Sequence, residues 1–501
     1  MKTTYPLGGL CVDKPSMLPI TFSVVIGVSL LPLALTACGG DGDAATADLK
    51  PVVDCTSLVG QTIAGVQVAT ATRVAATATV PAYCKVSGTQ LGTEHDIEVR
   101  LPDDWRRRYV QQGGGGFDGK ITPVGATDVA LSQHAVEVAN NGGHRDTTGA
   151  DFLNDPAKVQ LYAHTAIDIT AKFGKAVTQK YYGRLPSYSY YNGCSNGGRG
   201  ALNAADKYPA EFDAVIAGAP TRNLVGQIEQ WTRATQLSMP SASQLDAVNA
   251  AAVAKCDALD GISDGVISNW AACQFDPAVD VPASVGLTAE QAASVRALMT
   301  DLKLADDSTI YSGYGVGSMA QWGPRYASLG IGHMQYIVLN DESWDPATFS
   351  VDTYYSTISN VIDGKYNFNA STNGLAQFLK SGKKIIVWHG SDDALLSHKD
   401  TARTWEAVSQ AAGSAASNSR LYIAAGVNHC GGGPGADTID LLTPAIAWVE
   451  EGVDPGTPVA SKRNASGAIQ FTRPLCQYPA YPKYKGSGDA NSASSYQCSI
   501  T

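Results

Sequence analysis

Three residues far apart in the chain, Ser195, Asp393 and His429, are of the types that turn a weak nucleophile into a strong one. A serine hydroxyl attacks poorly at its ordinary pKa and needs an imidazole to take its proton; a carboxylate then fixes the imidazole's tautomer and stabilises the imidazolium. Ser195 stands in Gly193-Cys194-Ser195-Asn196-Gly197. This is a G-x-S-x-G pattern, in which glycine two residues either side of the serine permits a sharp turn from strand to helix. So short a pattern also arises by chance in glycine-rich turns, and the order of its partners is what gives it weight: serine first, an acid after a later strand, histidine last in a loop. Asp392 is the rival acid, and His389 is either a second site histidine or a cap on a strand end. The oxyanion of a tetrahedral intermediate needs two preorganised N–H donors. Asn196, following the serine, is the expected source of one, and the run Gly113-Gly114-Gly115-Gly116, if it is more than a flexible turn, offers the other through Gly115 or Gly116.

The elements that must carry these residues read as alternating strands and helices. Ile97 to Leu101 alternates apolar and polar residues as a strand does, Tyr109 to Gln112 is a strand running into the glycines, and Ala135 to Ala139 is another. Val159 to Tyr182 places Leu161, Ile167, Ile169, Phe173 and Val177 at helical spacing. A short strand, Tyr188 to Tyr191, leads into the serine, a helix follows over Ala201 to Tyr208, and Phe212 to Ala217 is an apolar strand. After Gly218-Ala219-Pro220 the rhythm stops, and it resumes at Lys384 to Trp388, with a helix near Thr401 to Ala412 and a strand at Arg420 to Ala424. Such alternation predicts an α/β fold with a mostly parallel sheet covered on both faces. With the serine–acid–histidine order it predicts an α/β-hydrolase carrying a large inserted lid: 51–220 and 381–501 form the hydrolase domain and 221–380 the lid.

At 501 residues, with 44% hydrophobic and 16% charged, the chain is long enough to bury full cores and is of ordinary globular composition. A net charge of −10 argues against nucleic acid as a partner. Lys2 and Lys14 precede an apolar run from Met17 to Leu35 that ends in Leu35-Thr36-Ala37-Cys38-Gly39-Gly40. This resembles a bacterial lipoprotein signal, giving a signal peptide over 1–37, lipid on Cys38 as the only membrane attachment, and a tether over 38–50; an ordinary secretory peptide cut near Ala37 is the alternative. Both export the chain, to a periplasm or cell surface. The cysteines left after Cys11 and Cys38 are even in number, which suits disulfides in an oxidising compartment. Cys55/Cys84, Cys256/Cys273 and Cys476/Cys498 are close pairs that invite local bridges. Cys194 and Cys430 adjoin Ser195 and His429, so a hydrogen bond between the latter would bring the former within disulfide reach.

Cys256 to Val266 contains Asp257, Asp260 and Asp264 with Gly261 and Gly265. Hard oxygen donors on a flexible loop suit Ca²⁺, although the spacing is not that of an EF-hand; solvated Asp-Gly turns read equally well.

The combination of Cys194-Ser195, Asp393 and His429-Cys430, with His389-Gly390 ahead of the acid and Pro474-Leu475-Cys476-Gln477-Tyr478-Pro479 near the end, resembles the tannase and feruloyl esterase family, which includes mono-hydroxyethyl terephthalate hydrolases. The resemblance favours Asp393 over Asp392. It implies a structural calcium in the lid held by Asp257, Asp260 and Asp264 with the carbonyls of Ile262 and Val266. It also implies a lid pocket for the aromatic acid, for which Tyr311, Tyr314, Trp322, Tyr326, Tyr336 and Trp344 are candidates, although most of them read better as lid core; Arg325 is available to a substrate carboxylate or is a surface or packing residue. The expected activity is hydrolysis of small aromatic esters (gallate, hydroxycinnamate or terephthalate) through an acyl-enzyme; a non-catalytic calcium-stabilised binding lipoprotein and a peptidase are the other readings.

Overall fold

The computed structural model describes residues 48–125, 129–147, 149–323 and 325–500, with Arg325 and Ala327 described by backbone alone. The signal segment 1–37, the tether as far as residue 47, and Cys38 lie outside the described residues. Twelve strands matter for the site: β1 (Thr62–Ile63), β2 (Val66–Val74), β3 (Tyr83–Gln90), β4 (Asp96–Pro102), β5 (Arg108–Gln112), β6 (Val136–Asn140), β7 (Tyr188–Cys194), β8 (Ala214–Gly218), β9 (Leu302–Lys303), β10 (Thr309–Tyr311), β11 (Lys384–Gly390) and β12 (Ser419–Ala424). All but β9 and β10 form one sheet in the order β1-β2-β3-β4-β6-β5-β7-β8-β11-β12. Pairing is antiparallel from β1 to β6 and parallel from β6 to β12.

In the parallel half, alternation sends successive residues to opposite faces. Ile385 and Val387 of β11 join Val215 and Ala217 of β8 in one core, packed by Ala201 and Leu202 of the helix Asn196–Lys207 and by Phe173 and Val177 of the helix Ala166–Tyr182. Ile386 and Trp388 join Ala214 and Ile216 on the other face, against Leu442, Ile446 and Trp448 of the helix Leu442–Glu450. Burial on both faces is why these strands read as continuous apolar runs. The antiparallel strands β1 to β3 had no counterpart in the sequence-based expectation.

Between β8 and β11 the chain contributes no strand to this sheet. It builds helices such as Leu224–Ala234, Ala242–Cys256, Ala289–Met299 and Val351–Ser359 around two further apolar clusters. The four expected disulfides are formed: Cys55–Cys84, Cys194–Cys430, Cys256–Cys273 and Cys476–Cys498. The C-terminal tail is two small antiparallel ribbons, with the last bridge joining the second ribbon to the residues just ahead of it. Among the described residues no helix is long and apolar enough to cross a membrane.

One ion pair lies inside the sheet. Arg100 and Glu137 are register partners on β4 and β6, both side chains are 2% exposed or less, and Arg100 also donates to Glu98 Oε1 at 2.7 Å and the Thr122 carbonyl at 2.6 Å. Removing one partner of such a pair strands a buried charge, at a cost of about 3–5 kcal/mol. Arg100→Met is expected to lower the unfolding free energy in urea by about that amount. A loss below about 1 kcal/mol would show that the pair is not holding the sheet.

Candidate active site

β7 ends at Cys194, Ser195 takes φ +63° and ψ −124°, and the helix Asn196–Lys207 begins immediately. A non-glycine residue at positive φ is held there only by its surroundings. Here the Ser195 N–H donates to the Gly218 carbonyl at 3.0 Å, and the Ser195 carbonyl accepts from Arg199 N at 3.0 Å. Gly197 passes so close to the glycine loop that a Cβ on it would lie 2.6 Å from the Gly114 carbonyl oxygen, so no larger residue fits.

His429 meets this turn from the segment after β12. Its Nε2 lies 2.8 Å from Ser195 Oγ and its Nδ1 2.7 Å from Asp393 Oδ2. Asp393 is wholly buried, which by itself would favour the neutral acid. That tendency is outweighed by His429 and His389, which hold the carboxyl well below the usual carboxylate range. Oδ1 accepts from the Leu395 and Leu396 amides at 2.8 and 2.9 Å, and Oδ2 also meets His389 Nε2 at 3.0 Å. His389 Nε2 faces the Leu396 carbonyl at 3.1 Å as well. Neither oxygen carries a proton, so Nε2 is the protonated nitrogen, and Nδ1 accepts the Thr401 hydroxyl at 2.9 Å. His389 therefore orients the acid and does not face Ser195. Asp392 turns the other way: it accepts the Ser391 hydroxyl at 2.8 Å, packs on Gly317, and burial pushes it up to about 6.

The Cys194–Cys430 bridge, Cα to Cα 6.0 Å, joins the serine turn to the histidine loop, with Cys430 itself at φ +61°. Of the loop glycines, Gly116 lines the pocket in front of Ser195 together with Asn196. Gly113 N–H is already committed to the Asn192 carbonyl at 2.8 Å, and the Gly115 carbonyl accepts from Asp118 N at 3.0 Å.

The pocket walls are Phe117, Tyr162, Leu224, Trp231, Leu329 and Leu396, with Arg199, Thr221 and His333 as polar members. Sequence reasoning singled out none of these. The aromatic residues named from the sequence, most of which read as lid core, are core: Tyr311, Tyr314, Trp322 and Tyr326 pack in one lid cluster, and Trp344, with Tyr336 against it, in another. The side chain of Arg325 lies outside the described residues.

Asp118 was also missed. Its Oδ1 accepts from Asn196 Nδ2 at 2.9 Å, and Asn196 Oδ1 in turn accepts from Arg199 Nε at 2.8 Å. Burial pushes Asp118 up to about 7, against the pull of the Asn196 bond and the Arg199 charge. The side chain thus couples the glycine loop to the residue after the serine.

In the acidic loop, Asp257 accepts from the amides of Asp264 and Gly265 at 3.1 and 3.0 Å. Asp264 accepts from Val266 N at 3.1 Å and from Arg473 Nη2 at 2.5 Å. Asp260 is fully buried; its Oδ1 accepts from Ile262 N at 3.2 Å, the Ser268 hydroxyl interacts with the carboxyl, and Oδ2 has no partner of good geometry; burial pushes the group up to about 6 against the pull of Ser268 and the Ile262 amide. Among the described residues no three His, Cys, Asp or Glu side chains are gathered as an ion cage. What fits a hard cation here is the all-oxygen donor set and the unsatisfied buried oxygen of Asp260.

The family model for tannase and feruloyl esterase matches residues 84–334 and 331–499. The chain belongs to the tannase and feruloyl esterase family. It is 30% identical to the mono(2-hydroxyethyl) terephthalate hydrolase of Piscinibacter sakaiensis, over 85% of this chain and 86% of that one. It is also 30% identical to a probable feruloyl esterase of Arthroderma benhamiae, over 94% and 97%. The crystal structure of feruloyl esterase B from Aspergillus oryzae superposes with a TM-score of 0.78 at 25% identity, covering 87% of this chain and 97% of that one. The protein is a carboxylic ester hydrolase with an α/β-hydrolase sheet and a large insertion.

If Asp118 positions Asn196, Asp118→Ala is expected to lower kcat about 10–100-fold with KM changed less than about 3-fold, as loss of oxyanion alignment does. Asp118→Asn, which keeps the acceptor, should stay within about 3-fold of the parent. Equal losses in both variants, or a loss confined to KM, would remove Asp118 from this role.

Proposed function

We propose that this chain is an exported serine esterase acting on esters of aromatic carboxylic acids. The observation that carries the reading is the continuous hydrogen-bonded line from Ser195 Oγ through His429 to the buried Asp393 carboxylate. Ser195 Oγ attacks the ester carbonyl as its proton passes to His429 Nε2. The oxyanion is received by the N–H groups of Asn196 and Gly116. Collapse expels the alcohol, which takes the proton from His429, and leaves an acyl-Ser195 ester. Water, deprotonated by His429, then releases the aromatic acid. Asp393 stays ionised throughout and stabilises the imidazolium that forms twice in the cycle.

The aromatic walls of the pocket and the names of the relatives, feruloyl esterase and mono(2-hydroxyethyl) terephthalate hydrolase, support an aromatic acyl group. Four disulfides and the Ala37-Cys38-Gly39 motif support export with a lipid anchor on Cys38. The test is initial-rate hydrolysis of methyl gallate, methyl ferulate and mono(2-hydroxyethyl) terephthalate. At least one should be cleaved, with kcat in Ser195→Ala lower by about 10⁴-fold or more. Unchanged hydrolysis in Ser195→Ala, or no turnover of any of the three, would sink the proposal.

A structural Ca²⁺ at Asp257, Asp260 and Asp264, with the Ile262 and Val266 carbonyls, belongs to the same reading. The ion would neutralise the buried Asp260 carboxyl and brace the lid. Chelation is expected to lower Tm by several degrees with restoration by added Ca²⁺, and Asp260→Asn to abolish that response. A Tm indifferent to chelator would leave the loop as hydrogen-bonded turns alone.

A further inference from the structure

His333 is 4% exposed and lines the pocket in front of Ser195. It opens a π-helical segment, His333–Val338, that follows the helix Arg325–Gly332. Tyr162, which also lines the pocket, lies in a second such segment, Leu161–Thr165. Such segments are rare in helices and are found frequently at functional sites.

The tautomer of His333 follows from its partner. Nδ1 lies 2.8 Å from the Leu329 carbonyl, which can only accept, so Nδ1 carries the proton and Nε2 presents a lone pair. No hydrogen bond to Nε2 is formed among the described residues, and unlike the ring nitrogens of His144 and His398 it is not sealed from the pocket. Burial holds the ring neutral by pushing it down to about 4, helped by the charge of Arg199. The ring packs at 5.3 Å from Phe117 and 6.1 Å from Trp231, centroid to centroid, so its open nitrogen sits among apolar walls.

The other polar members do not offset this. Arg199, which could attract an anion, commits four of its five N–H donors to Asn196 Oδ1 and the carbonyls of Tyr162 and Ala163, and its guanidinium stacks over the rings of Tyr162 and Phe368. Thr221 can donate or accept and does not discriminate. The polar feature that selects is an acceptor without a donor.

We propose that His333 is a specificity-determining residue: its Nε2 accepts a hydrogen bond from a phenolic hydroxyl on the acyl ring, so the enzyme favours hydroxylated aromatic acids over ring carboxylates. A phenol keeps its proton at neutral pH and can donate, whereas a terephthalate carboxylate would set its lone pairs against that of Nε2. This rests on the esterase reading above, with Ser195 as nucleophile.

The decisive comparison is kcat/KM for methyl ferulate against methyl 3-methoxycinnamate, which lacks only the ring hydroxyl, with mono(2-hydroxyethyl) terephthalate and 4-nitrophenyl acetate alongside. The wild-type enzyme is expected to favour methyl ferulate over both the deoxygenated ester and the terephthalate half ester by about 10-fold or more, the discrimination of a site built around a substrate hydroxyl. His333→Leu should bring the ferulate to methoxycinnamate ratio to within about 3-fold of one, and His333→Gln, which keeps an acceptor, should retain part of the preference. A wild-type enzyme that cleaves 4-nitrophenyl acetate but treats the two cinnamates alike, or prefers the terephthalate half ester, overturns the role of His333 and leaves the esterase reading standing. So does a His333→Leu variant with the parent ratio. Failure to cleave any of the four esters overturns the esterase reading and this inference together. The wild-type comparison decides even if a substitution at this buried position prevents folding.

Discussion

The molecule is organised around one buried charge. An ionised carboxylate with no exposure is stable only if its lone pairs are satisfied, and Asp393 meets this with two backbone amides on one oxygen and two imidazoles on the other. Each donor depends on a different part of the fold. The amides come from the turn after β11, His389 from the end of β11 itself, and His429 from the segment after β12. Gly390 lets the acid loop lie against the Val427 carbonyl, a contact that a Cβ would forbid. The proton held by His389 is in turn fixed by Thr401 on the next helix, so the acid's environment reaches from the end of β11 into the covering layer.

The serine end is held by complementary means. A residue at φ +63° in an otherwise regular strand–turn–helix is costly, and the turn is pinned by backbone bonds to Gly218 and from Arg199, by the glycine crossing at Gly197, and by the covalent tie to Cys430. That tie spans 236 residues of sequence, so the insertion and three strands of the sheet, β8, β11 and β12, lie within the loop it closes. Movements of the lid can therefore be accommodated without separating Ser195 from His429.

Much of this was legible in the sequence, and the boundary is physical. The parallel strands were readable because strands buried on both faces are apolar runs, and the sharp turn at Ser195 because it restricts residue types at fixed offsets. The pairing of Cys194 with Cys430 followed from adjacency to Ser195 and His429. The pocket was not readable. Phe117, Tyr162, Trp231 and His333 come from four distant segments, and nothing local separates them from Tyr314, Trp322 or Tyr326, aromatic residues of the same insertion or its surroundings that pack into core. A ring buried against apolar neighbours and a ring bordering a cavity leave the same local pattern. Asp118 shows the same limit: its importance lies in reaching Asn196, 78 residues away. β1 to β3 escaped notice because each is only partly buried, and their alternation is broken by a register shift between β2 and β3.

The division of labour between sheet and insertion follows. Ser195, Asp393 and His429, the hydrogen-bonded line, are carried by strand ends and the turns that leave them. Trp231 and His333, which line the pocket, are carried by the insertion, Trp231 on a regular helix and His333 on a π-helical segment, while Phe117 and Tyr162 reach the same pocket from the hydrolase side. A substitution at His333 changes a hydrogen-bonding preference without touching the line from Ser195 to Asp393. The reverse does not hold, because Arg199 serves both: it bonds the side chain of Asn196 beside the nucleophile, and it stacks on Tyr162 in the pocket wall. Selectivity can therefore drift within the pocket at little cost to the chemistry, except at the one cation that belongs to both.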